Sequence, residues 1–197
     1  MKNLICSALF FFTMSFNYGQ SIETIDKEIR DTKTLIQDSL LTCSTARFNT
    51  KIAGLGNESL IINFYFLIEY DRELANKNIY TLKIADLRYN VAASEGHQMA
   101  FYFDDSGSLI YVYQKADGYV CGERELYFNG LNCLLFISHP GEIDCIESGT
   151  TQYYADFSKK KDFSESDVNI IQSIRLLGQL IIQQFSTMSS VAGMVFE

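Results

Sequence analysis

Apolar residues recur along this chain with two different periods, and each change of period marks a new element. Between residues 21 and 42, Ile22, Ile25, Ile29, Ile36 and Leu40 stand at helical spacing, with Glu23, Asp26, Lys27, Glu28, Arg30, Asp31 and Lys33 on the other face. This predicts a long amphipathic helix that lays its apolar stripe on a sheet. Residues 43 to 58 show no period and contain Gly54-Leu55-Gly56-Asn57, so an irregular stretch with a turn is expected there. Leu60 to Tyr70 is apolar at nearly every position, as in a central strand covered on both faces. In Ile79 to Val91, Tyr80, Leu82 and Ile84 alternate with Thr81, Lys83 and Ala85, the pattern of a half-buried strand.

The next stretch, His97 to Ser138, contains one pattern twice. Tyr102, Phe103, Asp104, Leu109, Tyr111 and Val112 stand twenty-five residues before Tyr127, Phe128, Asn129, Leu134, Phe136 and Ile137. Each copy is an aromatic strand end, a polar break and a second apolar strand, which predicts two successive β-hairpins of an antiparallel meander. Asp105-Ser106-Gly107 breaks the first hairpin and Asn129-Gly130 the second. His139 to Thr151 is expected as a loop, followed by a long helix that opens at Asp162-Phe163-Ser164-Glu165 with Asp162 as its cap. Its stripe is Ile170, Ile171, Ile174, Leu177, Ile181 and Phe185, widened by Leu176, Leu180 and Ile182. The fold class that follows is α+β: an antiparallel meander of about six strands packed with a long N-terminal and a long C-terminal helix.

Phe101-Tyr-Phe-Asp-Asp-Ser-Gly-Ser-Leu109 and Glu123-Arg-Glu-Leu-Tyr-Phe-Asn-Gly130 carry a resemblance. The stretch from about residue 60 to residue 138 resembles small uncharacterised exported bacterial proteins in which a helix precedes hairpins of the type YYFDxxGxL and ExYYFxNGKL. It departs from that pattern at Leu131-Asn132, where Lys-Leu is the family's usage. The resemblance implies an exported sheet protein and transfers no catalytic residue.

Export is also what the first residues imply. Lys2 precedes an apolar run from Leu4 to Phe16, and the more polar Asn17-Tyr18-Gly19-Gln20 follows. That is the layout of a secretory signal peptide, and the run is shorter than the roughly 20 apolar residues that span a bilayer. Residues 1–20 are therefore read as a leader and 21–197 as a single α+β domain, periplasmic or extracellular. Removing the leader takes away one lysine and no acid, leaving 15 basic against 24 acidic side chains. So acidic a chain repels nucleic acid and anionic membrane surfaces. Arg175 and the glutamines of the C-terminal helix argue against an integral membrane span.

Four cysteines follow the leader, Cys43, Cys121, Cys133 and Cys145. In an oxidising compartment an even number points to disulfides, and no CxxC spacing supports a metal or redox pair. With Asn129-Gly130 as a two-residue turn, Leu126 faces Cys133 and Cys121 faces Ser138. Cys121 and Cys133 are then too far apart to bridge, and Cys121 with Cys145 is the expected disulfide.

Candidate chemistry is sparse. Only His97 and His139 offer imidazoles, and no G-x-S-x-G elbow accompanies them. Asp104 to Ser108 has a superficial likeness to a calcium loop, but Lys115 occupies the position of the twelfth ligand. Glu123 and Glu125 share one strand face, and paired carboxylates can hydrolyse glycosides, although on an exposed strand such a pair is more often simply solvated. The expected function is a noncatalytic binding module for a protein or a small apolar ligand, with no cofactor and no metal. A more specific form is an acidic inhibitor or immunity protein directed at a cationic enzyme. The alternative is a secreted or periplasmic hydrolase that uses His139 or the pair Glu123 and Glu125.

Overall fold

A computed structural model of the chain describes residues 20–52, 56–71, 77–91, 95–117, 122–130, 132–140, 151–154 and 163–195. The element order is α1 (Ile22–Gln37), β1 (Thr42–Ile52), β2 (Gly56–Asp71), β3 (Lys77–Val91), β4 (Glu95–Phe103), β5 (Leu109–Asp117), β6 (Gly122–Asn129), β7 (Asn132–Pro140), β8 (Thr151–Tyr154) and α2 (Glu165–Val195). The strands form one sheet in sequence order, every neighbouring pair antiparallel. A helix lies on each face. α2 packs Ile171, Ile174, Ile181 and Phe185 against Phe64, Phe101, Leu126 and Phe136 on one side. α1 sets Ile25 and Ile29 on Ile84, Tyr102, Tyr111 and Tyr127 on the other.

The α+β class and the meander are as expected, while the expected count of about six strands is corrected to eight among the described residues. β1 arises from the stretch taken as irregular. As an edge strand it has one neighbour and a solvent-facing side, so it needs few apolar residues, and Thr42-Cys-Ser-Thr-Ala46 gives no strong period. The long N-terminal helix is also corrected, because α1 stops after 16 residues. Ser39 takes a positive φ of 58°. The Ser39 N–H donates to the Ile36 carbonyl at 3.0 Å and the Leu40 N–H to the Leu35 carbonyl at 2.9 Å. These two bonds are the Schellman closure that ends a helix.

α2 is 31 residues long, as its stripe predicts, but two details of that helix change. The cap is Ser164 and not Asp162. The Asp167 N–H donates to Ser164 Oγ at 3.2 Å and the Ser164 N–H to Asp167 Oδ2 at 3.1 Å, a reciprocal capping box. Leu176 and Leu180 do not widen the buried stripe, for each is 61% exposed. Nor is β2 covered along its whole length. It extends past the first residue of β1, which pairs at Thr42 with Phe66, and the β2–β3 hairpin passes the last β4 pairing at Ile84 with Tyr102. Ile68, Tyr70 and Ile79 on that projecting hairpin are exposed.

The twenty-five-residue repeat holds for the first strand of each hairpin and fails for the second. Tyr102 and Tyr127 face α1, while Phe103 and Phe128 face α2. The first hairpin closes with Phe103 opposite Leu109 and the second with Phe128 opposite Cys133, so the second connection is one residue shorter. Both hairpins carry a register shift at the same place, after Tyr102 and after Tyr127. Structurally, Tyr111 therefore matches Leu135 and Val112 matches Phe136. A one-residue slip moves each side chain to the other face, which is why this count decides what is buried. It also corrects the cysteine register: Leu126 opposes Phe136, Cys133 opposes Phe128, and Ser138 opposes Arg124.

Candidate functional site

The sequence-predicted residues divide into those with other duties and those outside the described region. Glu123 and Glu125 do share one face of β6, yet each is engaged. Glu123 lies 3.7 Å from Lys115 Nζ. Glu125 accepts hydrogen bonds from the hydroxyls of Tyr111 at 2.8 Å and Tyr127 at 3.5 Å. Burial first, then the Glu125 carboxylate, pushes the Tyr111 phenol up from its ordinary value; burial and then Asp26 and Glu125 do the same for Tyr127. Three tyrosines of this face form an edge-to-face row, Tyr102 to Tyr111 at 5.4 Å and Tyr111 to Tyr127 at 4.9 Å between centroids. Glu125 thus anchors phenols beneath α1.

His139 is directly across from Glu123 in the β6–β7 register, so the two residues named for a hydrolase are brought side by side along the backbone. The His139 side chain lies outside the described residues. His97 is on β4, where its ring stacks on Tyr89 with centroids 4.6 Å apart and planes at 12°. Cys121 and Cys145, and with them the expected disulfide, lie outside the described residues. Among the described residues Cys43 and Cys133 are free thiols, the first exposed and the second buried. The Asp104 loop is turn chemistry. Asp104 Oδ1 accepts from the Ser106 N–H at 2.9 Å, the Ser106 hydroxyl at 2.6 Å and the Ser108 N–H at 2.8 Å. Among the described residues no group of three His, Cys, Asp or Glu could hold a metal, and no helix is long and apolar enough to cross a membrane.

What the structure assembles instead is a cleft of about 630 Å³ between the first half of α2 and the sheet. Met99, Gln114 and Arg124 of its floor belong to one cross-strand row that begins at Leu87. Leu87 of β3 pairs with Met99 of β4, Met99 with Gln114 of β5, and Gln114 with Arg124 of β6. The next such row inward is Ala85, Phe101, Val112, Leu126 and Phe136, all buried and apolar. Polarity therefore rises in one step as the sheet leaves the core, and the cleft opens at that step. Above the floor stand Ile170, Ile174 and Leu177 of α2, with Glu165, Ser166, Asn169 and Ser173 on the same wall and Tyr89 at one side.

Arg124 is the cation of this cleft. Its Nη1 donates to Gln114 Oε1 at 3.5 Å, a long and weak bond. The sign of Tyr89's environment agrees with this placement: burial pushes its phenol up, and the nearby Arg124 charge opposes that rise. A second cleft of about 360 Å³ shares Tyr89 and Leu177 with the first and runs to Phe48, Leu60 and Leu87 at the β1 side of the sheet.

Sequence reasoning passed over Arg124 in favour of its acidic neighbours. The signal was present in the alternation Arg124, Leu126, Phe128, which puts a charge on the core-facing side of a strand. No protein-family model matches the chain, and neither does any curated protein or solved structure.

Proposed function

We propose that this protein is a noncatalytic binding module of an exported kind, which holds a small, mainly apolar ligand between α2 and the sheet. The carrying observation is the cleft itself. It lies where a long helix crosses a sheet, its floor and roof include Met99, Ile170, Ile174 and Leu177, and a few polar groups converge on it. The first residues support export, since they have the layout of a signal peptide. Against the hydrolase alternative stands the engagement of both carboxylates, Glu123 with Lys115 and Glu125 with two tyrosine hydroxyls. A general acid or nucleophile needs a carboxylate turned toward substrate, whereas Glu125 is turned toward phenols under α1.

The test is titration with a neutral apolar fluorophore, N-phenyl-1-naphthylamine, monitored by emission. Saturable binding of one equivalent is expected, and Ser173→Trp, which fills the cleft from the exposed side of α2, is expected to weaken it at least tenfold. Binding unaffected by Ser173→Trp, or no saturable binding, would overturn the cleft reading. Glycosidase activity lost in Glu123→Gln would establish the hydrolase instead.

A further inference from the structure

The geometry points to an elongated monocarboxylate, of the fatty-acid class, as the ligand of the α2 cleft, with its head group on Arg124; this rests on the cleft reading above. Four observations lead there. The first is the state of Arg124. Of the described strand cations Lys83, Arg88 and Lys115 pair with Asp105, Asp86 and Glu123. Among the described residues Arg47 and Arg124 make no ion pair; Arg47 is exposed on the edge strand β1, whereas Arg124 is half-buried, its one hydrogen bond to a described residue being the long contact to Gln114. A guanidinium at the edge of a core row, in a chain of net charge −8, is a group whose forked donors await an acceptor.

The second observation is the setting of that charge. Met99, next but one along the same row, is 4% exposed, and Ile170, Ile174 and Leu177 face it from α2. A ligand bound to Arg124 therefore has apolar surface within reach of the rest of its body, and such surface is what gains free energy on leaving water. The third is shape. A second cleft, lined by Phe48 and Leu60, adjoins the first at the shared residues Tyr89 and Leu177, an elongated arrangement that suits a chain better than a compact ring. The fourth is sign and number. Among the described lining residues Arg124 is the one cation and can fork onto one carboxylate, while Glu165 on the same lining opposes any further negative charge, so a phosphate dianion would call for donors beyond these. Gln114 touches the guanidinium from one side at 3.5 Å, and Tyr89 lines the same cleft.

The experiment is isothermal titration of the full chain with decanoate, decanol and decylammonium, in wild type and three variants, and of wild type with hexanoate and tetradecanoate. Wild type is expected to bind decanoate at least tenfold more tightly than decylammonium, and to bind tetradecanoate more tightly than hexanoate. Arg124→Gln should weaken decanoate about tenfold to a hundredfold while changing decanol less than about threefold, since a charge-assisted pair is lost and the apolar contact is not. Arg124→Lys should fall between, because an ammonium keeps the charge and loses the fork. Glu165→Gln should tighten decanoate. Decanol binding in each variant shows that the cleft is folded. Decanoate and decylammonium binding alike, absence of decanoate binding, or unchanged decanoate affinity in Arg124→Gln would each overturn the inference. In the first and last of these outcomes, saturable binding of the neutral fluorophore would still leave the cleft reading standing.

Discussion

Asp104 shows how one side chain can close a hairpin. Its carboxylate gathers two backbone N–H groups and a hydroxyl within five residues, donors that the tight connection leaves without strand partners. The same carboxylate has a cost elsewhere. Glu28 of α1 has its pKa pushed up, by burial first and then by Asp104 and Asp105, with Lys83 acting in the opposite sense. Asp104→Ala is expected to destabilise the protein by about 1–2 kcal/mol, the scale of losing a side-chain cap. Asp104→Asn keeps an acceptor oxygen and removes the charge that Glu28 feels, so it should cost much less. Urea denaturation of the two variants checks this, and equal losses would show that charge and not hydrogen bonding holds the turn.

At the level of elements, the helices are bounded by backbone geometry and side-chain caps, while the apolar stripes decide only which face is down. α1 ends because Ser39 adopts the left-handed conformation, which costs a residue with a Cβ roughly 1 kcal/mol and glycine nothing steric. Ser39→Gly is expected to raise stability by up to about 1 kcal/mol, seen as a higher urea midpoint at unchanged slope. A lower midpoint would mean that Ser39 contributes more through its side chain than it loses in strain. α2 has the converse arrangement at Gly178, where a Cβ would come within 3.0 Å of a Leu109 methyl. A side chain there would oblige the Leu109 methyl to give by a few tenths of an ångström.

For the molecule as a whole, both faces of the sheet bury acids that resist ionisation, and this gives stability a direction with pH. On the α2 face burial raises the Cys133 thiol from an ordinary 9.0 to about 12. On the α1 face Tyr111 and Tyr127 are raised from an ordinary 10.0. Well below pH 9 all three are protonated in the folded and the unfolded chain, so their contribution is fully present. As pH rises beyond about 9 to 10, the unfolded chain loses these protons while the folded chain keeps them. Stability should therefore fall by up to about 1.4 kcal/mol per pH unit for each group, continuing toward pH 12. Thermal melts between pH 8 and 11 check this, and Cys133→Ala should remove the earliest part of the decline. A midpoint that is flat across that range would contradict the burial described for these groups.

Much of this was legible in local pattern, because helix and strand periods are properties of neighbouring residues. The α1 stripe at Ile25 and Ile29, the aromatic ends of both hairpins and the long α2 follow from spacing alone. The paired placement of Glu123 and Glu125 also follows from strand alternation. Three things did not. β1 lacks a clear period because an edge strand answers to one neighbour and to water. The faces of Tyr111 and Phe136 turned on a connection one residue shorter in the second hairpin, which repeat matching does not weigh. The cleft itself depends on where α2 crosses the sheet, for only that crossing sets Ile170 and Ile174 over Met99 and leaves Arg124 beside them. Local sequence determined the helical stripes and the alternation along most strands; tertiary packing decided the faces set by the second hairpin and which surfaces meet, because contacts between distant segments depend on register and crossing angle and not on local spacing.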